Sequence, residues 1–199
     1  MNRLFFTHRS PYARIVRIVA DVKEIPLELI EVNFQDKPAA FLAASPFGSI
    51  PALITDNASY IDSHSIVRYL ENSMPTPPVF PAHTHEWALQ ENRVCLAYGL
   101  TDRAVTIMKE NMRPEELRSA SQLSKVRSEI CRAIAWFEVN IESVLPFPML
   151  DAIALATALG YLEFRLPDLE WRATSPRVQK WFDEIQGTAV FKQTGPTPS

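Results

Sequence analysis

The sequence predicts an α/β domain followed by an all-helical one. Three observations say so. Strand and helix signals alternate through residues 1–74, and strand patterns stop there. Four prolines, Pro75, Pro77, Pro78 and Pro81, crowd the stretch that follows and read as a stiff linker. Beyond it, apolar residues recur only at helical spacing. The boundaries expected are therefore residues 1–74 for the α/β domain, 75–85 for the linker and 86–199 for the helical domain.

The elements follow in order. Leu4-Phe5-Phe6 is a short apolar run suited to a buried strand. Ser10-Pro11 reads as a helix start, with Ser at the N-cap and Pro at the first helical position. Ile15, Ile18, Val19 and Val22 then give one apolar face, and Pro26 ends the helix. Leu27 to Val32 is a second strand. A variable stretch around Asp36-Lys37-Pro38 carries a short helix through about Ala44. Ala52-Leu53-Ile54 and Ser59-Tyr60-Ile61 read as a hairpin turned by Thr55 to Ala58. Ser63 to Asn72 is helical, with Ile66, Val67 and Leu70 inward. The order is βαβ, α, ββα.

In the second half, residues Glu86–Asn111 form one long helix with a stripe of Val94, Tyr98, Thr101 and Val105. A second helix, Ser121–Val144, carries Val126, Ile130, Ile134, Phe137 and Ile141 at core spacing. Asp151–Phe164 is nearly all apolar, which places it at the centre of a bundle. Pro176 to Ile185 is a shorter helix, and the tail from Gly195 to Ser199 is expected to be mobile.

Composition narrows the function classes. A formal net charge of −3, with Lys and Arg scattered, gives no support to nucleic-acid or anionic-membrane partners. The two cysteines, Cys95 and Cys131, make no disulfide framework and read as buried, reduced thiols on helices. No apolar run approaches the ~20 residues that span a bilayer. The start of the chain lacks a signal peptide's apolar stretch, so a cytoplasmic location is expected. His83-Thr84-His85 has no acids or Cys at ligand spacing, so no metal site is expected. No Gly-x-Ser-x-Gly element supports a serine hydrolase.

Several motifs stand out together. They are Ser10-Pro11-Tyr12-Ala13-Arg14, Ser45-Pro46-Phe47-Gly48-Ser49-Ile50-Pro51-Ala52-Leu53, the pair Asp62-Ser63, and Asp151-Ala152-Ile153-Ala154-Leu155-Ala156. On these residues the chain resembles the glutathione S-transferase family, its bacterial members in particular, over almost its full length. The resemblance implies an α/β thioredoxin-like N-terminal domain plus an all-α C-terminal helical domain. It also implies a homodimer. One departure is visible: the family places Ser or Thr three residues before the central Asp, and this chain has Pro148. Either Asp151 caps its helix alone or that helix begins differently.

The resemblance assigns chemistry to these positions. Ser10 would donate a hydrogen bond to the sulfur of glutathione at a helix N-terminus, where unpaired N–H groups favour a thiolate. Ser10 can equally be a plain cap, and Tyr12 and His8 are neighbours able to substitute. In the family's fold the Ile50–Pro51 bond is expected to be cis, presenting the Ile50 backbone to the cysteinyl part of glutathione. Asp62 would accept from the γ-glutamyl ammonium, and Ser63 would serve its carboxylate; both are also good caps. Lys37 is a candidate for the glycyl carboxylate. A pocket for the second substrate, a small electrophile, is expected between the domains, with Tyr12, Tyr98 and Arg103 as candidates.

The function expected is conjugation of the glutathione thiolate to small electrophiles, with glutathione as co-substrate and no metal or redox cofactor. The alternative is a binding or regulatory protein that keeps the fold without transferase activity. A glutathione-dependent reductase or isomerase is a third option. The absence of Cys at position 10 weighs against its reductase form.

Overall fold

The computed structural model describes residues 2–196 of the 199-residue chain. It divides into two units: Met1–Phe80 with Ala189–Ser199, and Pro81–Thr188. The sequence placed residues 189–199 with the helical domain; here they group with the first unit. Of the tail expected to be mobile, residues 197–199 lie outside the described residues.

In the first unit, β1 (Arg3–Phe6) leads to α1 (Pro11–Val22), β2 (Glu28–Glu31), α2 (Ala39–Ala44), β3 (Ala52–Ile54), β4 (Ser59–Ile61) and α3 (Ser63–Ser73). The sheet order is β2-β1-β3-β4. β1 pairs with β2 in parallel and with β3 antiparallel, and β3 pairs with β4 antiparallel. β1 is central and its last three residues are buried, as its apolar run requires. β2 is an edge strand and mostly exposed, so only part of the Leu27–Val32 run pairs. α1 packs with α3, and Ile15, Ile18, Val19, Ile66 and Leu70 of the two helices are sealed from solvent. Phe5, Val32, Phe41, Ala44 and Ala52 form a second buried cluster against α2.

The proline stretch is tied down by one lysine. Lys23 ends α1 and its side chain is fully buried. Its ammonium donates to Met74 O at 2.7 Å and Pro77 O at 2.8 Å, and pairs with Glu71 at 2.5 Å. A buried ammonium needs partners of this kind.

The second unit contains α4 (Thr84–Asn111), α5 (Ala120–Asn140), α6 (Leu150–Arg165), α7 (Trp171–Thr174) and α8 (Pro176–Gln186). α6 is buried almost all round, as its composition predicts, and packs on α4 and α8. α5 ends earlier than expected, at Asn140, and a 3₁₀ turn carries the buried Ile141. A last helix, α9 (Ala189–Gln193), belongs to the first unit and packs on α1.

One sequence reading is corrected. Cys95 and Cys131 are free but exposed. Each follows a buried residue, Val94 or Ile130, and one residue on is a 100° turn off the core-facing stripe. For Asp151 the second of the two alternatives holds: it does not cap α6 from outside, and the helix begins differently. The helix starts at Leu150, with Met149 at the cap position and no side-chain cap. Asp151 sits inside the first turn, 1% exposed. Its carboxylate accepts from Arg93 Nε at 2.6 Å, Leu145 N at 3.1 Å and Gln90 Nε2 at 3.4 Å. No helix among the described residues is long and apolar enough to cross a membrane.

Candidate functional site

Sheet register brings three motifs to one end. Phe5 pairs with Ala52, and Ala52 with Ile61. The chain leaving β1 toward Ser10, the chain arriving at β3 through Ile50-Pro51, and the chain leaving β4 into Asp62-Ser63 therefore share that edge. The opposite end carries Arg3, Ile54 and Ser59.

Ser10 caps α1. Its backbone is extended, and its hydroxyl oxygen accepts the Ala13 N–H at 3.2 Å. That bond uses a lone pair and leaves the hydroxyl proton for another acceptor. Pro11 at the first turn removes one donor that would be orphaned there. His8, half-buried in the preceding turn, meets the edge of Phe6 with centroids 5.0 Å apart.

The second wall is a turn built by Ser45. Its hydroxyl donates to Ser49 O at 2.8 Å and accepts from Ser49 N at 3.1 Å, while its carbonyl takes the Gly48 N–H at 2.7 Å. Gly48 sits at φ +57°, a conformation that strains any residue with a Cβ. Ile50–Pro51 is cis, as expected. The Ile50 backbone N–H and C=O carry no hydrogen bond among the described residues. Lys37 reaches this turn, its Nζ 3.4 Å from Gly48 O.

The third wall is the start of α3. Asp62 caps it, with Oδ1 accepting from His64 N at 2.8 Å. Its φ of +68° is unusual for a residue with a side chain. Such strain persists only where the surroundings hold it, and it clusters at functional sites. Ser63 follows, 1% exposed.

The structure thus brings Ser10, Ile50, Pro51, Asp62 and Ser63 to one sheet end, with Tyr12 half-buried in the first turn of α1. Tyr98 and Arg103 belong to the other unit, on α4. Five residues apart, they lie about 140° apart around the helix and do not share a flank. Arg103 is engaged by Glu129 of α5 at 2.8 Å and by Gly99 O at 3.2 Å. No group of three or more His, Cys, Asp or Glu suited to a metal ion occurs among the described residues.

Sequence reasoning missed Ser45 as the builder of the turn, although its motif was noted. It also missed Arg14, which anchors α1 from behind. Arg14 is 6% exposed and donates to Phe191 O at 2.7 Å and Thr194 Oγ1 at 3.4 Å, with its guanidinium 3.8 Å above the Phe191 ring. Burial, and then the neighbouring Arg17, bring its pKa down to about 10, so it stays charged at neutral pH. Nothing local in the sequence signals a partner 177 residues away.

Known proteins share this fold. Residues 4–78 match the family model described as the glutathione S-transferase N-terminal domain. A glutathione S-transferase of Methylobacillus flagellatus KT, solved with glutathione bound, is 31% identical, with a TM-score of 0.93 over 99% of this chain and 100% of that one. A glutathione transferase family member of Pseudomonas fluorescens Pf-5, also with bound glutathione, is 31% identical, with a TM-score of 0.90 over the whole of both chains. The uncharacterized GST-like protein YibF of Escherichia coli K12 is 26% identical over 98% of each chain.

Proposed function

This chain belongs to the glutathione S-transferase family, and we propose that it conjugates the glutathione thiolate to small electrophiles. Its thioredoxin-like α/β domain and helical C-terminal region match the family's fold. The observation that carries the activity is the gathering of Ser10, the open Ile50 backbone and Asp62-Ser63 at one end of the sheet.

The mechanism follows from what each wall offers. The Ile50 N–H and C=O pair with the backbone of the cysteinyl residue. The buried start of α3 holds the γ-glutamyl end, with Asp62 accepting from its ammonium and the helix amides facing its carboxylate. Lys37 approaches the glycyl carboxylate. The sulfur then rests at the N-terminus of α1, where Ser10 donates to it. Positive partial charge and this hydrogen bond favour the thiolate, and the thiol proton leaves to solvent. The thiolate attacks the electrophilic carbon, an S–C bond forms, and the leaving group departs with its electron pair. Proximity and nucleophile activation supply the rate, with no metal or redox cofactor required. The working form is a cytoplasmic homodimer, in keeping with the family likeness, and the role is detoxification.

The test has two parts. The protein is expected to be retained on immobilised glutathione and to turn over chloronitrobenzene-type substrates. Retention without turnover of any electrophile in a wide panel would make it a glutathione-binding or regulatory protein instead. Failure of both would overturn the site.

A further inference from the structure

Helix α1 turns two arginines toward the far end of α9, and neither has an ion-pair partner among the described residues. Arg14 is satisfied by Phe191 and Thr194 as described. Arg17, one turn further, is half-buried. Its Nη1 donates to Thr194 O at 3.3 Å, and its guanidinium carbon stands 5.2 Å from the Phe6 ring centroid. The rest of its donor fork has no hydrogen-bond partner among the described residues. Partial burial without a paired counter-charge disfavours a cation, and it lowers the pKa of Arg17.

Arg17 lines a cavity of about 330 Å³. Ile25, Pro26, Leu27 and Leu29 supply apolar lining. Leu29 lies on the edge strand β2 and is 45% exposed. Asp21 stands exposed at the cavity, one turn beyond Arg17. It makes no ion pair with Arg17, although i,i+4 spacing on a helix allows one, because Arg17 is drawn toward Thr194 and Phe6. The cavity thus offers a guanidinium with donors to spare, aliphatic lining and one exposed carboxylate, Asp21, whose repulsion weighs more on a dianion than on a single carboxylate.

We propose that this cavity is a second ligand site, one for a small organic monocarboxylate with an aliphatic body. The carboxylate pairs with the Arg17 fork, which matches its geometry. The body lies along Leu27 and Leu29, covering apolar surface that is otherwise wet. Arg17 is seven residues beyond Ser10, about 10 Å along the helix axis, so the site is separate from the glutathione crevice and stands without the transferase reading.

The experiment titrates the full chain with hexanoate and, as the uncharged control, 1-hexanol. Amide chemical shifts are followed by NMR. Saturable shifts are expected at Arg17, Asp21, Leu27 and Leu29 with hexanoate, and at least tenfold weaker binding with hexanol. Arg17→Met is expected to weaken hexanoate at least tenfold. Leu29→Glu, on an exposed position, places a negative charge in the cavity and is expected to do the same while retention on immobilised glutathione is unchanged; it serves also if Arg17→Met fails to fold. No saturable binding, equal binding of hexanol, or full affinity in Leu29→Glu would overturn the proposal. None of these outcomes bears on glutathione retention by the unaltered protein, so the two readings fail separately.

Discussion

A hydroxyl that caps a helix and faces a ligand does two jobs with different atoms. Ser10 Oγ accepts the Ala13 N–H with a lone pair, and its proton is the part a thiolate would use. A hydrogen bond to a charged group contributes about 1.5–3 kcal/mol, equivalent to roughly 1–2 pKa units. Ser10→Ala is therefore expected to raise the pKa of bound glutathione by that amount. The acid limb of the kcat/KM profile should move up in pH, with activity near neutral falling about 10- to 100-fold and recovering at high pH. An unmoved profile would take Ser10 out of the chemistry. Asp62 permits a cleaner separation. Its φ of +68° costs of order 1–3 kcal/mol for a residue with a Cβ, and Gly is nearly as good an N-cap as Asp. Asp62→Gly is expected to leave Tm unchanged or raised while weakening retention on glutathione. A loss of both together would mean that the carboxylate serves the fold alone. Both residues were legible in the sequence because caps are local: Ser before Pro, and Asp-Ser before an apolar helix, announce themselves within four positions. Ser45 was less legible, since its bonds to Ser49 and Gly48 need the turn to exist first.

Helices were legible wherever one face is apolar, so α1, α3, α5 and α8 fell within a residue or two at most ends. What the sequence hides is what joins elements that are distant in the chain. Asp151 looked like a helix-start residue. In the structure it is the buried partner of Arg93, 58 residues earlier, with side-chain exposures of 0% and 8%. No periodicity marks such a pair, because each member reads locally as a polar interruption of an apolar stripe. Removing one partner of a buried pair strands the other charge and costs about 3–5 kcal/mol. Asp151→Ala is expected to destabilise the helical unit by that amount, seen as a lower denaturant midpoint in tryptophan fluorescence. The readout is selective: Trp87, Trp136, Trp171 and Trp181 are all the tryptophans of the chain and all lie within Pro81–Thr188. A change below about 1 kcal/mol would show that Arg93 finds water when its partner is gone.

The first unit is completed only after the chain has traversed the second. Residues 1–80 carry the sheet and the site, yet α1 is closed by α9, whose Val190 and Phe191 are 8% and 3% exposed. The sequence could not show this, because a five-residue helix near the end has too few turns to display a periodic face. The closure has consequences for the site, since α1 is the helix whose N-terminus Ser10 caps. Ending the chain at Thr188 would expose the surface under Phe191 and Val190. It would also leave Arg14, buried on three contacts, without any of them. Burying two such side chains contributes about 1.5–3 kcal/mol each, so the loss falls mainly on the first unit. The truncated protein is expected to keep the fluorescence transition of the helical unit, because no tryptophan lies in the removed segment or the sheet. Amide exchange in α1 and β1 should quicken and glutathione retention should weaken, although none of residues 189–199 is assigned to the crevice. A truncated chain with unaltered exchange in α1 and full retention would show that α9 only covers the unit and does not hold it.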